Sequence, residues 1–257
     1  MRRSSGVTAR FWRFMKGRKV LRSPIIQVLL SLFIFVLFSL SLVVEAAAFA
    51  ALFTVVVCGA ANQLARKFAS DRLCSVLLAA TVSLSGFSSR LQIVILAVGG
   101  ALLASGLISL VGWGGVKKSA ITATQLVGAW FPAGLAGASV SLLSMEDQRT
   151  LGLLFVTTAV FDTTTYLMGP SKKRWLGPLL GSAGSLGLIY TTNELNLVPV
   201  TPNYLEQFAL VMVISVNISW LVSRYLGQKP GWALRRIGCY LVSGMSCYLF
   251  IGASVGY

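Results

Sequence analysis

Long apolar runs separated by short charged segments extend along this chain from Pro24 onward. The first apolar stretch, 24–61, is long enough for two membrane spans, and we expect a helical hairpin that turns near Glu45. Further runs follow at 73–89, 91–112, 119–143, 150–169, 176–192, 204–223 and 237–255. Each is near the ~20 residues that a helix needs to cross a bilayer. The pattern predicts an all-α, polytopic integral membrane helical bundle with about nine transmembrane helices.

The positions of the charged residues give this predicted bundle an orientation. With nine spans and a cytoplasmic N-terminus, all of the 22 Lys and Arg residues except Arg90 and Arg149 fall in cytoplasmic segments. This asymmetry is the positive-inside pattern of multi-pass membrane proteins. We therefore predict a basic cytoplasmic tail at 1–23 and a single transmembrane domain at 24–257. The expected location is the cell (inner or plasma) membrane.

Composition supports a membrane protein and removes several other classes. The chain is 56% hydrophobic and 11% charged, whereas soluble domains carry roughly 25% charged residues. The net charge of +15 is explained by loops that face anionic lipid, and without a nucleic-acid-binding motif we expect no nucleic-acid partner. The absence of histidine excludes His-based acid–base catalysis and most zinc and haem sites. The four cysteines form no CxxC pair, which favours small apolar residues over metal ligands.

Asp162 is the acid that lies clearly inside a predicted span. A carboxylate at that depth is costly unless it is paired or coordinated, so a functional role is the default interpretation. Helical spacing puts Thr158, Thr165 and Tyr166 on the same face as Asp162. Seven residues separate Asp162 from Gly169, so the carboxylate is expected about 10 Å from the cytoplasmic end of its helix. Two interpretations stay open at this point. Asp162 carries a function, or it is held inside the bundle by hydrogen bonds from neighbouring threonines.

Three consecutive cations, Lys172, Lys173 and Arg174, follow this span on its cytoplasmic side. They are consistent with a phosphate-binding site and equally with a positive-inside anchor. In the next span, Gly177 and Gly181 form a small-xxx-small pair that we expect to pack against another helix. Similarly, we expect the amide of Asn217 to bond another helix.

These segments together resemble a known family. The stretch 162–169, Asp-Thr-Thr-Thr-Tyr-Leu-Met-Gly, is similar to the Asp-Thr-Gly-Ala-Tyr-x-x-Gly motif of bacterial phosphatidate cytidylyltransferases (CDP-diacylglycerol synthases). The stretch 171–177, Ser-Lys-Lys-Arg-Trp-Leu-Gly, looks like the family's Ser-Pro-Lys-Lys-x-Trp-Glu-Gly loop. The stretch 223–229 is weakly similar to the Lys-Arg-x-x-Gly-x-Lys-Asp segment. The chain carries Leu176 and Pro230 where the family has acids, as in a diverged member.

The resemblance implies an enzyme that forms CDP-diacylglycerol and pyrophosphate from CTP and phosphatidate. It implies that Asp162 is catalytic and binds Mg²⁺. The residues expected to bind substrate phosphates are Ser171, Lys172, Lys173, Arg174, Arg224 and Lys229. The expected partners are CTP, phosphatidate and the bilayer, with a homo-oligomer as a further option. The alternative is a catalytically inactive member, or a small transporter subunit that uses Asp162 as an intramembrane ion site.

Overall fold

The computed structural model describes residues 36–37, 45–111, 116–168, 175–195, 202–226 and 237–255. The chain forms two compact units, Met1–Val44 and Glu45–Tyr257. The predicted boundary between the basic tail, 1–23, and the membrane domain, 24–257, lies outside the described residues and stays a prediction.

Eight α-helices occupy the described part of the second unit, and the described residues contain no strand. They are α1 (Ala46–Phe68), α2 (Arg72–Ser85), α3 (Leu91–Val111), α4 (Val116–Glu146), α5 (Gln148–Leu167), α6 (Leu176–Glu194), α7 (Leu205–Leu226) and α8 (Tyr240–Val255). Short 3-10 turns follow α2 at Gly86–Ser88 and precede α7 at Pro202–Tyr204. The described part of the chain is helical and has no strand, which confirms the all-α part of the predicted fold class.

The helices coincide with the apolar runs of the sequence. Each predicted run after Glu45 forms one helix, and the run at 73–89 forms α2 with its 3-10 turn. Glu45 itself precedes α1 in an extended conformation, with φ −166°; residues 38–44 lie outside the described residues, so the hairpin turn expected near Glu45 stays a prediction. Four described helices, α1, α3, α4 and α7, are long and apolar enough to cross a membrane. They indicate a membrane protein.

Consecutive helices in the second half of the chain run in opposite directions. Residue numbers rise along one helix while those of its contact partners fall along the next, because a short connection folds the chain back on itself. The contacting pairs are Thr165 with Gly177 and Thr157 with Ser185 (α5 and α6), Trp175 with Trp220 and Ser182 with Asn217 (α6 and α7), and Ser219 with Val242 and Phe208 with Phe250 (α7 and α8).

Helix α4 is the centre of the first half. It packs against α1, α2, α3, α5 and α8, and its side chains Trp130, Ala133 and Ala136 are fully buried. The Trp130 indole N–H donates to the Ser105 hydroxyl of α3 at 2.9 Å. This bond satisfies the one polar group of a large buried side chain. Small residues dominate the rest of the α4 surface, so its neighbours approach closely.

The second half closes into a ring of four helices. Helix α5 packs on α6, α6 on α7, α7 on α8, and α8 returns to α5 and also contacts α4. Inside the ring, Phe161 of α5, Val216 of α7 and Cys239 beside α8 form a buried apolar cluster, with Trp220 packed against it. The described fold therefore has two parts. We call α1–α3 packed around α4 the layer, and α5–α8 the ring; α4 contacts both α5 and α8 of the ring.

Candidate functional site

Among the predicted site residues, Asp162 has a described side chain. It is half-buried in α5, about 8 Å from Leu167 at the end of that helix, given the 1.5 Å rise per residue. It takes part in a hydrogen-bonding or electrostatic interaction of its own. Arg224 lies in α7, but its side chain is outside the described residues. All atoms of five further predicted site residues lie outside the described residues: Ser171, Lys172, Lys173, Arg174 and Lys229. The roles of these residues and of Arg224 stay predictions.

Helix α8 begins inside the bundle, near the level of Asp162. Phe161, the residue before Asp162, belongs to the same buried apolar cluster as Cys239, which lies just before α8 starts. On its other side, the Tyr240 ring meets the Phe53 ring of α1 with centroids 5.0 Å apart. Because α8 starts beside residues that lie well inside α5 and α1, its N-terminus does not reach the level at which α5 ends.

The buried start of α8 is capped by a side chain from another helix. The N–H groups of Val242 and Ser243 donate to the Ser219 hydroxyl of α7, at 2.9 and 3.1 Å. Ser219 is fully buried. The first N–H groups of a helix lack partners within the helix and form the positive end of its dipole. Ser219 therefore satisfies two buried donors, and the positive end of α8 lies at a depth similar to that of the Asp162 carboxylate.

Two of the threonines on the Asp162 face, Thr158 and Thr165, do not donate a hydrogen bond to Asp162. The Thr158 hydroxyl is buried and donates to the carbonyls of Leu154 and Phe155 in its own helix, at 2.8 and 2.9 Å. Within the described residues, the buried hydroxyl of Thr165 has no hydrogen-bond partner. The interpretation in which neighbouring threonines hold Asp162 thus receives no support from these two residues.

Helix α6 packs tightly on the same helix that carries Asp162. A Cβ atom at Gly177 would lie 3.1 Å from the Thr165 Cα, and one at Gly181 would lie 2.9 Å from the Phe161 ring. The predicted packing role of these two glycines is confirmed. The predicted interhelical bond of Asn217 is confirmed too, since its amide donates to the Ser182 hydroxyl at 2.8 Å. Both contacts fix α5, α6 and α7 around the aspartate.

Charges separate between the two ends of the helices. We call the end where α1 stops and α2 starts the basic end, and the end where α4 stops and α5 starts the acidic end. Five described cations lie at the basic end: Arg66, Lys67, Arg72, Lys117 and Lys118. The acidic end holds five acids and two cations: Glu45, Glu146, Asp147, Glu194, Glu206, Arg90 and Arg149. Asp162 lies closer to the basic end.

The acid of the basic end is bound to its own helix. Asp71 precedes α2, and its Oδ1 accepts the backbone N–H of Cys74 at 2.7 Å. This hydrogen bond lowers the pKa of the Asp71 carboxyl below its ordinary value. Asp71 therefore acts as an N-cap, a position for which Asp is well suited, and leaves the cations around it in excess.

The described residues offer little to a protein-held metal ion. In the ranges that the structure describes, no three His, Cys, Asp or Glu side chains come together as a ligand group. Mg²⁺ usually takes one or two protein carboxylates together with water and substrate phosphates. Asp162 is a single carboxylate, so the described residues do not by themselves form a magnesium site.

Two hydrogen bonds between helices could not be predicted from the local sequence. The Ser219 cap of α8 joins residues on different helices, and so does the bond from the Tyr248 hydroxyl to Glu146 Oε1, at 3.0 Å. A serine in an apolar span signals an interhelical bond only in general terms. No local pattern identifies the helix that it meets.

Comparisons with known proteins add no relative. No family model matches the chain, and neither the curated proteins nor the solved structures contain a match.

Proposed function

We propose that this chain is a multi-pass protein of the cell (inner or plasma) membrane, with nine spans and both its N-terminus and its basic end in the cytoplasm. The charge separation between the two helix ends supports this orientation, because cytoplasmic loops carry the excess of Lys and Arg. The match between apolar runs and helices after Glu45 supports the span count. The remaining span would be the first arm of the hairpin predicted at 24–61.

The activity that we propose is nucleotidyl transfer to a lipid phosphate, as in phosphatidate cytidylyltransferases. The observation that carries the proposal is the position of Asp162, an acid inside an apolar helix and near the basic end. CTP is a cytoplasmic substrate, and the sequence puts Lys172, Lys173 and Arg174 between α5 and α6 on that side. An intramembrane acid beside a cationic segment is the chemistry needed for phosphates that meet a membrane surface.

The reaction would proceed as an in-line displacement. An oxygen of the phosphatidate phosphate attacks the α-phosphorus of CTP and forms a new P–O bond. The bond from that phosphorus to the bridging oxygen breaks, and pyrophosphate leaves with the electron pair. Ser171, Lys172, Lys173 and Arg174, with Arg224 and Lys229, would bind and neutralise the phosphates. Asp162 is the proposed ligand for Mg²⁺, with substrate phosphates as the other ligands.

The test is CTP-dependent formation of CDP-diacylglycerol by the purified chain in vesicles that contain phosphatidate, with Mg²⁺. We expect Asp162→Asn to reduce turnover by about a hundredfold, the scale of one lost electrostatic contact to a transition state. Glu206→Gln, an exposed acid at the opposite end, is the matched control and should retain turnover. No product from the wild type, where a full-motif enzyme is active, would overturn the activity. Equal turnover by the wild type and Asp162→Asn would show that Asp162 is not needed for the activity.

A second candidate is an ion site without catalysis. The observation that favours it is the half-buried carboxylate of Asp162 inside an apolar helix. Carboxylates inside membrane helices mark ion pathways and proton relays in pumps and transporters. In proteoliposomes with an internal pH indicator, the wild type would then show proton or cation flux, and Asp162→Asn would abolish it. Flux that is absent, or unchanged in Asp162→Asn, would contradict this candidate.

A further inference from the structure

The outward face of α2 is lined by apolar side chains. Leu73, Leu77 and Leu84 are 68%, 57% and 51% exposed, and their spacing places them on one side of the helix. We call these three residues the leucine stripe. The opposite side, with the buried residues Ala79 and Val82, packs on α4 and α1. Within the described residues, the leucine stripe runs along a helix that has no neighbour on this face.

Three exposed cations surround the start of this helix. Arg66 and Lys67 end α1, and Arg72 opens α2, directly before the leucine stripe. We call them the turn cations. The nearby acid, Asp71, accepts the Cys74 N–H and keeps its negative charge, but three cations outnumber it and the turn is net positive. An arginine side chain binds the oxygens of a phosphate in a bidentate fashion, and cations at a membrane surface attract anionic headgroups.

Helix α2 is shorter than the hydrocarbon core of a bilayer. The helix and its 3-10 turn, Arg72–Ser88, span about 25 Å at 1.5 Å per residue, less than the ~30 Å of a bilayer core. A helix shorter than the bilayer core is accommodated in part by local thinning of the bilayer. Such thinning would bring phosphates next to α2 to the level of Arg72, with acyl chains against the leucine stripe.

We infer that the outward face of α2 binds an anionic phospholipid, with its phosphate on the turn cations and its acyl chains along the leucine stripe. A second copy of the chain is a poorer occupant. Two copies in the same membrane have the same orientation, so packing along α2 would bring the two sets of turn cations together, and like charges across an interface are unfavourable. The inference goes beyond the proposed nucleotidyl transfer and rests only on the chain lying in a bilayer.

The test uses the full chain in vesicles of equal parts phosphatidylglycerol and phosphatidylcholine. A photo-crosslinking benzophenone side chain is placed at Leu77, and for comparison at Ile95, which is 61% exposed on α3. Mass spectrometry then counts the crosslinked lipids. We expect the ratio of phosphatidylglycerol to phosphatidylcholine to be several-fold higher at Leu77 than at Ile95. Equal ratios, or crosslinks mainly to a second copy of the chain, would overturn the inference.

Charge variants complete the test. Replacing the turn cations together (Arg66→Gln, Lys67→Gln and Arg72→Gln) should bring the Leu77 ratio down to that of Ile95. The pair Lys117→Gln and Lys118→Gln removes exposed cations from the same end but from α4, and should leave the ratio high. Arg90→Gln is the control at the acidic end. If the α4 pair lowers the ratio as much as the turn cations do, the binding is a property of the whole basic surface and the α2 site is wrong.

Discussion

The α4-centred layer and the α5–α8 ring are both helical and apolar, yet they differ in what they bury. The layer buries small residues at close range. On α4, a Cβ atom at Gly137 would overlap the Ser83 hydroxyl and come 2.6 Å from the Ser83 Cβ. Its buried hydroxyls include a matched pair, Thr54 and Ser83, 2.8 Å apart. One buried hydroxyl of the layer, that of Ser141 on α4, has no hydrogen-bond partner among the described residues. In the described part of the layer no carboxylate lies in the middle of a helix, and close packing is its evident role.

The ring buries polar groups that are costly. It contains the carboxylate of Asp162, the capped N-terminus of α8, and the buried hydroxyls of Thr157 and Thr165, which have no hydrogen-bond partner among the described residues. Polar groups inside a membrane protein are expensive and usually functional. The comparison teaches that the layer provides stability and that the ring provides the candidate site.

The largest expected change in the free energy of unfolding comes from a substitution in the layer. Gly137→Ala should lower stability by about 1–3 kcal/mol, because an added methyl group has to displace Ser83 and Val57. Gly106→Ala on α3 is the matched control, since no atom lies within 4 Å of its Cβ position. The control should be neutral or more stable by up to about 1 kcal/mol, as a glycine in a helix is unfavourable. Thermal unfolding in one detergent measures both. Equal stability of the two variants would contradict the close packing of the layer.

The next effect is in the ring. Ser219→Ala should cost about 2 kcal/mol, because the N–H groups of Val242 and Ser243 lose the acceptor that the Ser219 hydroxyl supplies inside the bundle. Ser215→Ala is one turn away on the same helix, and its hydroxyl donates only to the Met212 carbonyl of that helix, at 3.0 Å. We expect less than about 0.5 kcal/mol from this control. Similar unfolding temperatures for the two variants would mean that α8 does not depend on a cap from α7.

The smallest effect is at the connection between α1 and α2. Asp71→Ala should lower stability at neutral pH by about 0.5 kcal/mol, the low end for an N-cap, because the carboxylate is exposed and screened. Since the pKa of Asp71 is lowered in the folded state, its contribution is complete above the ordinary pKa of ~4 and disappears as the pH falls through the folded value. The free energy of unfolding of the wild type and of Asp71→Ala, measured from pH 7 to pH 3, tests this pH dependence. A stability difference that grows toward low pH would be the wrong sign.

The sequence predicts the layer and the ring to different extents. Apolar run length identifies each described helix from α1 to α8, because a span must satisfy its own backbone hydrogen bonds and so needs a minimum length. The small-xxx-small spacing identifies the packing of Gly177 and Gly181 for a similar local reason. The depth at which α8 begins is different, since it depends on Ser219 and Phe161, which belong to other helices. Contacts between distant segments leave no local signature.

The candidate site divides in the same way. Asp162 is recognisable from sequence because a charge in an apolar span is rare. Its surroundings are not, as Thr158 and Thr165 share its face yet the Thr158 hydroxyl turns to its own backbone. The side of a helix on which a residue lies follows from spacing, whereas the hydrogen bonds it makes depend on three-dimensional packing.

The most direct test of the central claim, a membrane bundle whose basic end faces the cytoplasm, is the accessibility of single cysteines in intact cells. Arg149→Cys and Glu194→Cys, at the acidic end, should react with a membrane-impermeant maleimide added outside. Arg72→Cys and Lys117→Cys, at the basic end, should react only after the cells are lysed, and the unsubstituted chain gives the baseline of the four native cysteines. Reaction of Arg72→Cys and Lys117→Cys from opposite sides, or of all four variants from the outside, would contradict the account.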